Sequence, residues 1–368
     1  MKNILVVDDS ALMRRVFSDI ITKDGRFTVA DEARDGKEAL RLLESKSYDA
    51  VILDVNMPQM DGIELLKALR EKNIKAKILM ASTTTMDGAQ VTMEALELGA
   101  LDFIHKPEWS FKCKEDAFST EFLAALEAVC GANADVSAKI RPHVERVKDT
   151  SATSSLTQIE NMVRKEGAKI KGNRLVALAV STGGPKSLQN VIPFLPEDLD
   201  APVVLVQHMP VGFTASLAQR LDEMSRIKVS EAVEGETLEK GHVYISKGGA
   251  HMNVVKDATG KSKIHYTDEP TREGVKPCAN YMYESLMSSQ YDEIVCVVMT
   301  GMGADGTEGI KHLKEKKKIY CISQESSSCV VYGMPKSIDK AGLSDISVPL
   351  GNIAQEIILH VGVMKNGC

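Results

Sequence analysis

Residues Leu175–Pro185 read LVALAVSTGGP, and the fold turns on this stretch. An apolar run rich in Val and Leu, cut off by Ser181, Thr182 and a glycine pair, has the length and composition of a buried strand. Past Pro185, Leu188, Val191 and Ile192 fall on one face of a helical pattern. Ser181 therefore stands where a strand turns sharply into a helix. Such a corner exposes a hydroxyl at the end of a sheet and gathers backbone N–H groups beside it. That suits a serine nucleophile. It also suits a turn that merely ends the strand, or a loop that cradles a phosphate.

Composition narrows the class. A chain of 368 residues has room for two or three domains with real cores, and 43% hydrophobic and 26% charged residues are ordinary for a globular protein. A net charge of −6 provides no basic field for nucleic acid or an anionic membrane. The seven cysteines are odd in number and form no CxxC pair, which fits reduced thiols in the cytoplasm. The apolar run Ile4–Val7 is too short for a signal peptide and is followed at once by Asp8 and Asp9. No run reaches the length of a membrane span. The expectation is a cytoplasmic protein with no nucleic-acid partner and no membrane insertion.

Upstream of the opening stretch, residues 1–130 alternate strand and helix patterns five times. Strands are predicted at Ile4–Val7, Phe27–Ala33, Ala50–Leu53, Ile78–Ala81 and Asp102–Ile104, with amphipathic segments between them. That alternation implies a parallel sheet covered on both faces, whose ligands gather at the carboxyl ends of its strands. Asp8 and Asp9 follow the first strand, Asp54 the third with Asn56 two residues on, Ser82 the fourth and Lys106 the fifth. Converging carboxylates repel one another unless a divalent cation neutralises them, and a hard ion such as Mg²⁺ takes oxygen ligands of this kind. A lysine and a serine hydroxyl would stabilise charge on a phosphoryl group passed to a carboxylate.

The segments VVDDSALMRR, LDVNMPQMDG, ILMAS and LGALDFIHKP resemble the receiver domain of response regulators. The resemblance implies a flavodoxin-like sheet of five parallel strands, and phosphate transfer from a histidine kinase to Asp54. It implies Mg²⁺ held by Asp9, Asp54 and the backbone of Asn56, with Asp8 in support. Ser82 would hydrogen-bond the phosphate and Lys106 would pair with it.

Residues 131–172 lack a lasting apolar period, and Ser and Thr cluster at 151–155, so this stretch reads as a linker. A short amphipathic helix over Leu156, Ile159, Met162 and Val163 is the alternative. The second folded unit, 173–368, again alternates strands and helices and carries a β-rich insertion over Lys228–Ala232, His242–Ser246, Met252–Lys256 and Lys263–Tyr266. Its class is a doubly wound, mostly parallel α/β domain. Ser181, His208 and Asp305 each follow a different predicted parallel strand, so one crevice would hold all three. A serine hydroxyl needs a base, an imidazole titrates near neutrality, and a carboxylate can fix the imidazole's tautomer. Each residue also has a plainer reading, as a structural hydrogen-bonder or a turn former. Gly301–Gly306, GMGADG, literally matches the GxGxxG pattern of dinucleotide sites, but no convincing ribose-binding acid follows about 20 residues on.

The segments AVSTGGP, VVLVQHMPVGFTASLAQRLD, VYISKGGAHM, MTGMGADGTEGI and VVYGMPKSI resemble the catalytic domain of chemotaxis protein-glutamate methylesterases, a family that also carries a receiver in front and a linker between. The resemblance implies a serine hydrolase that demethylates glutamyl methyl esters, and deamidates glutamines, on the cytoplasmic helices of chemoreceptors. Ser181 matches the nucleophile, His208 the base and Asp305 its partner, while Thr182 and Met302 match active-site neighbours with a substrate or oxyanion role. Phosphorylation of Asp54 would raise activity by moving the receiver off the catalytic crevice. No cofactor is expected in the catalytic domain, and a monomer contains every group. Lys247 and Ala250 stand where the family often has proline and a larger residue, and Cys278 where serine is common; these departures bear on substrate-lining details. Two other classes compete. A DNA-binding output would need a basic helix-turn-helix near the C-terminus, which the Gly-rich α/β pattern lacks. A non-catalytic phosphate-responsive scaffold would keep the fold without the chemistry.

Overall fold

The computed structural model describes residues 1–82, 86–106, 115–133 and 172–364. Contacts divide the chain into two units, Met1–Ala138 and Lys139–Cys368. Most of the stretch read as a linker, including Leu156, Ile159, Met162 and Val163, lies outside the described residues.

The first unit is a five-stranded parallel sheet in the order β2-β1-β3-β4-β5. Its strands are β1 (Lys2–Val7), β2 (Phe27–Ala33), β3 (Ala50–Asp54), β4 (Ile78–Ser82) and β5 (Asp102–His105). Helices α1 (Ala11–Asp24), α2 (Gly36–Ser45), α3 (Gly62–Glu71), α4 (Met86–Leu98) and α5 (Glu115–Gly131) connect or follow them. β3 and β4 are buried at every position, as strands covered on both faces must be. The helix starts follow local chemistry. Ser10 and Asp35 accept from the backbone N–H three residues on, and Asp61 with Glu64 forms a reciprocal capping box at α3. Gly62, the first residue of α3, lies so close to the Asp54 carbonyl that a Cβ there would stand 2.4 Å from its oxygen.

The second unit is built on a seven-stranded, wholly parallel sheet. In chain order the elements are β6 (Arg174–Val180), α6 (Gly184–Leu188), β7 (Val203–Gln207), α7 (Phe213–Met224), β8 (Lys228–Glu231), β9 (His242–Ile245), β10 (His251–Lys256) and β11 (Ser262–Thr267). There follow α8 (Ala279–Ser285), β12 (Glu293–Val298), α9 (Thr307–Lys316), β13 (Lys318–Gln324), α10 (Met334–Lys340), β14 (Ile346–Val348) and α11 (Ile353–Val361). The sheet order is β14-β13-β12-β6-β7-β9-β8. The chain winds outward from β6 on one side through β7, then returns to the other side with β12. β6 therefore marks the switch point, where ligands of open α/β sheets bind. LVALAV is buried throughout, as its composition requires.

The β-rich insertion divides in two. β8 and β9 extend the main sheet in parallel, and only β10 and β11 form a separate antiparallel ribbon. The helix after Pro185 stops at Leu188, and a single 3₁₀ turn, Ile192–Phe194, carries the remaining apolar positions inward. Pro193 supplies no N–H for a continuing helix and restricts the residue before it.

Candidate active site and phosphoacceptor site

β6 ends at Val180, β7 at Gln207 and β12 at Val298, so Ser181, His208 and the loop to Asp305 leave neighbouring strands at one rim of the sheet. Ser181 is partly exposed. Its backbone is held from three sides: Ser181 N donates to Thr300 O (3.0 Å), while Ser181 O accepts from Gly184 N (2.7 Å) and from Gln207 Nε2 (3.1 Å). Gly183 supports the tight turn with φ 76°, a conformation that favours glycine. Gly301 packs directly against the nucleophile corner. A Cβ at 301 would stand 2.6 Å from Ser181 Cβ and 2.5 Å from Met334 Sδ. Gly301→Ala is therefore expected to displace Ser181 and slow its reaction with a fluorophosphonate on the order of 10²-fold, the cost of a shift near 1 Å. Labelling rates at matched thermal stability check this.

His208 Nε2 lies 2.8 Å from Asp305 Oδ2. A carboxylate only accepts, so Nε2 carries the proton and Nδ1 bears the lone pair. Nδ1 has no protein partner among the described residues, and neither does the Ser181 hydroxyl. Hydrogen bonds of this kind commonly tighten only when substrate is bound. The imidazole is thus fixed through Nε2, and the Nδ1 lone pair remains unengaged.

Asp305 is 2% exposed, yet every lone pair is used. Oδ2 accepts from His208 and from Ala279 N (2.6 Å). Oδ1 accepts from Asn280 N (2.9 Å), Gly306 N (2.9 Å) and the Cys278 thiol (3.0 Å). Burial pushes the carboxyl up, but His208 and these donors outweigh it and hold the group below the usual carboxylate range. Its contribution to stability is therefore present above that range and fades only as pH falls through the depressed value. The same bonds fill the loop that matches GxGxxG with a protein carboxylate, which argues against a dinucleotide phosphate there. Cys278, a departure expected to bear on substrate-lining details, donates its thiol directly to Asp305. Burial first, and the Asp305 charge second, push that thiol far up, so it stays a hydrogen-bond donor.

Thr182 is buried, and its carbonyl lies 3.1 Å from Thr300 Oγ1. Met302 is 36% exposed at the same rim, where its neighbours Gly301 and Gly303 pack against Gly333. Three contributors escaped the sequence reading: Gln207, Thr300 and Asn280. Asn280 Oδ1 caps Gly306 N and Gly309 N at the start of α9. The signal available for Gln207 was a polar residue at the last position of an otherwise apolar strand.

In the first unit Lys106 Nζ lies 2.8 Å from Asp8 Oδ2 and 2.7 Å from Asp54 Oδ1. Asp8, Asp9 and Asp54 each offer a carboxylate oxygen, all within 4.8 Å of one another; Asp9 is exposed, the other two buried. Burial pushes Asp54 up to about 6 against the pull of Lys106, and the Asp8 charge adds to the rise. An all-oxygen, highly anionic donor set of this kind fits a hard divalent cation. Ser82 is buried at the end of β4 and accepts from Thr92 Oγ1 (2.9 Å), while Asn56 is exposed just past β3.

Residues 176–357 match the family model described as CheB methylesterase, and residues 4–112 match that of the response regulator receiver domain. A protein-glutamate methylesterase/protein-glutamine glutaminase of Bacillus subtilis (strain 168) is 41% identical over 349 residues, covering 93% of this chain and 94% of the relative. A protein of the same name from Pyrococcus horikoshii is 38% identical over 368 residues, covering 99% of this chain and 95% of the relative. Among solved structures, the Thermotoga maritima CheB methylesterase catalytic domain aligns with 51% of this chain and 98% of its own length, at 37% identity and a TM-score of 0.49.

Proposed function

Since the chain belongs to the protein-glutamate methylesterase/protein-glutamine glutaminase family and has a receiver domain in front, we propose that Ser181, His208 and Asp305 carry its hydrolytic chemistry. The chain is a hydrolase of that family and a chemotaxis methylesterase. The observation that carries the residue assignment is the His208–Asp305 pair, which engages Nε2 and leaves the Nδ1 lone pair free on a residue that follows the strand beside that of Ser181.

Ser181 Oγ attacks the carbonyl of a glutamyl methyl ester while His208 Nδ1 takes its proton. The imidazolium is stabilised by the Asp305 carboxylate through Nε2–H. Backbone N–H groups at the Ser181 corner and the Met302 loop hold the oxyanion. The protonated imidazole returns its proton to the departing methoxide, and methanol leaves. A water, deprotonated by His208, then attacks the glutamyl ester on Ser181; the imidazolium returns that proton to Ser181 Oγ as it leaves, and a glutamate carboxylate is freed. With a glutamine side chain the same steps release ammonia. Thr182 and Met302 line this site on the substrate side.

The substrates are methyl-accepting chemotaxis receptors, acted on along their cytoplasmic helices. Phosphate arrives at Asp54 from a chemotaxis histidine kinase. Asp9, Asp54 and the backbone of Asn56, with Asp8 in support, would hold Mg²⁺, which would supply positive charge to offset the carboxylates and the phosphoryl oxygens. Lys106 pairs with the phosphate, and Ser82 donates to it. Phosphorylation of Asp54 raises hydrolysis, as local phosphate switches with global readouts do. The receiver is taken as 1–130, the linker as 131–172 and the catalytic domain as 173–368. No helix among the described residues is long and apolar enough to cross a membrane. A cytoplasmic monomer is consistent with this reading.

A small phosphodonor with Mg²⁺ is expected to accelerate methanol release from methylated receptor membranes in the intact chain, and to leave Asp54→Ala at its basal rate. An equal response in both proteins would remove Asp54 from the regulation.

A further inference from the structure

Gln207 closes β7 immediately before His208, and it is 2% exposed. Its side-chain nitrogen donates to two backbone carbonyls, Ser181 O (3.1 Å) and His208 O (3.1 Å). One carboxamide thus joins the main chains of the nucleophile and the base, which leave different strands. The orientation of the amide follows from these partners. Reversing it would set Oε1 against two carbonyl oxygens. As placed, Oε1 is buried without a hydrogen-bond partner among the described residues. A buried polar atom left unpaired costs free energy, and such an atom in a native fold calls for a reason. The backbone is shaped around it: a Cβ at Gly184 would stand 2.0 Å from Oε1, so only glycine admits the carboxamide.

The geometry of the peptide unit says what the contact does. In a planar trans peptide the C=O and the following N–H point in opposite directions. Gln207 Nε2 and Gly184 N both draw Ser181 O to one side, so the N–H of Thr182 is directed to the other. The same argument sets the peptide after His208. An unclamped 181–182 peptide could rotate and turn its oxygen toward the developing oxyanion, which would oppose catalysis where a donor is needed.

We propose that Gln207 is a positioning residue for the hydrolase reaction, locking the 181–182 peptide and the spacing of Ser181 from His208 through its paired carbonyl contacts. This rests on the serine-nucleophile reading above. Gln207 reaches no substrate; it acts through the two backbones it ties. Its loss should therefore appear in kcat and not in KM.

Two substitutions test this in the full chain, with methanol release from methylated receptor membranes as the readout and Ser181→Ala in parallel. Gln207→Met keeps the bulk and removes both donors. It is expected to lower kcat on the order of 10- to 100-fold with KM unchanged. Gln207→Glu keeps the shape. Its neutral carboxylic acid donates one of the two bonds, whereas its carboxylate repels both carbonyls, so its rate relative to wild type should fall as pH rises. A purely structural brace would lower both variants without that pH-dependent ratio. Wild-type kcat in Gln207→Met, or a flat Gln207→Glu ratio, overturns the inference while an inactive Ser181→Ala keeps the serine reading. Activity retained in Ser181→Ala removes the serine reading and this inference with it.

Discussion

Replacing Ser181 with alanine is expected to abolish methanol release, on the order of 10⁴- to 10⁶-fold in kcat, with receptor binding retained. The size follows from the chemistry. Without the hydroxyl there is no acyl-enzyme, and hydrolysis must proceed by direct water attack with the oxyanion donors alone. The fold should not suffer. The Ser181 hydroxyl bonds to no protein group among the described residues, while its N–H and C=O are the anchored atoms, and alanine keeps both. A melting temperature close to wild type beside a lost turnover is the expected pair of measurements. Retained turnover would leave the family activity in place but assign it to another nucleophile.

Asp305→Asn is expected to cost about 10⁴-fold in kcat, for a reason specific to this carboxylate. Oδ1 accepts from three donors and Oδ2 from two, so the asparagine carbonyl will take the Oδ1 side. Its NH₂ then faces Ala279 N–H and His208 Nε2. An amide donor at Nε2 requires that nitrogen to bear the lone pair, which moves the ring proton to Nδ1. Nδ1, the nitrogen assigned here as the base, would then be protonated and unable to accept the serine proton. Opposed N–H groups at Ala279 should also lower stability. The thermal transition therefore has to be measured beside the rate, with kcat read well below it. A loss of only a fewfold would mean that His208 does not depend on Asp305 for its tautomer.

Much of this site was legible in the sequence because it rests on alternation. Strands covered on both faces must be apolar, so the first polar residue after each run marks the sheet's rim. Ser181 and Asp54 announce themselves in that way, and His208 and Lys106 follow one residue later, after Gln207 and His105. Capping chemistry was equally local, as at Asp61 and Glu64. What could not be read depends on neighbours in space. Short strands have the same pattern whether they join a parallel sheet or a ribbon, so the placement of β9 beside β7 and of β8 at the edge beyond it was hidden. β14 has three residues, too few for a period. The Cys278 contact with Asp305 was not legible, because the two residues are 27 positions apart and meet only in the folded chain. Gln207 is the clearest case: a polar residue in a buried strand is visible, but its partners belong to a second strand and to the next residue's carbonyl.

Transfer of the Ser181 proton to His208 is tested most directly by finding where a fluorophosphonate bonds, since the attacking oxygen displaces fluoride and stays attached to phosphorus. Peptide mapping of the inactivated full chain should give one adduct, on the peptide carrying Ser181, forming far more slowly in His208→Ala. Loss of hydrolysis with the adduct on any other residue, or labelling of Ser181 at an unchanged rate without the imidazole, would contradict the relay.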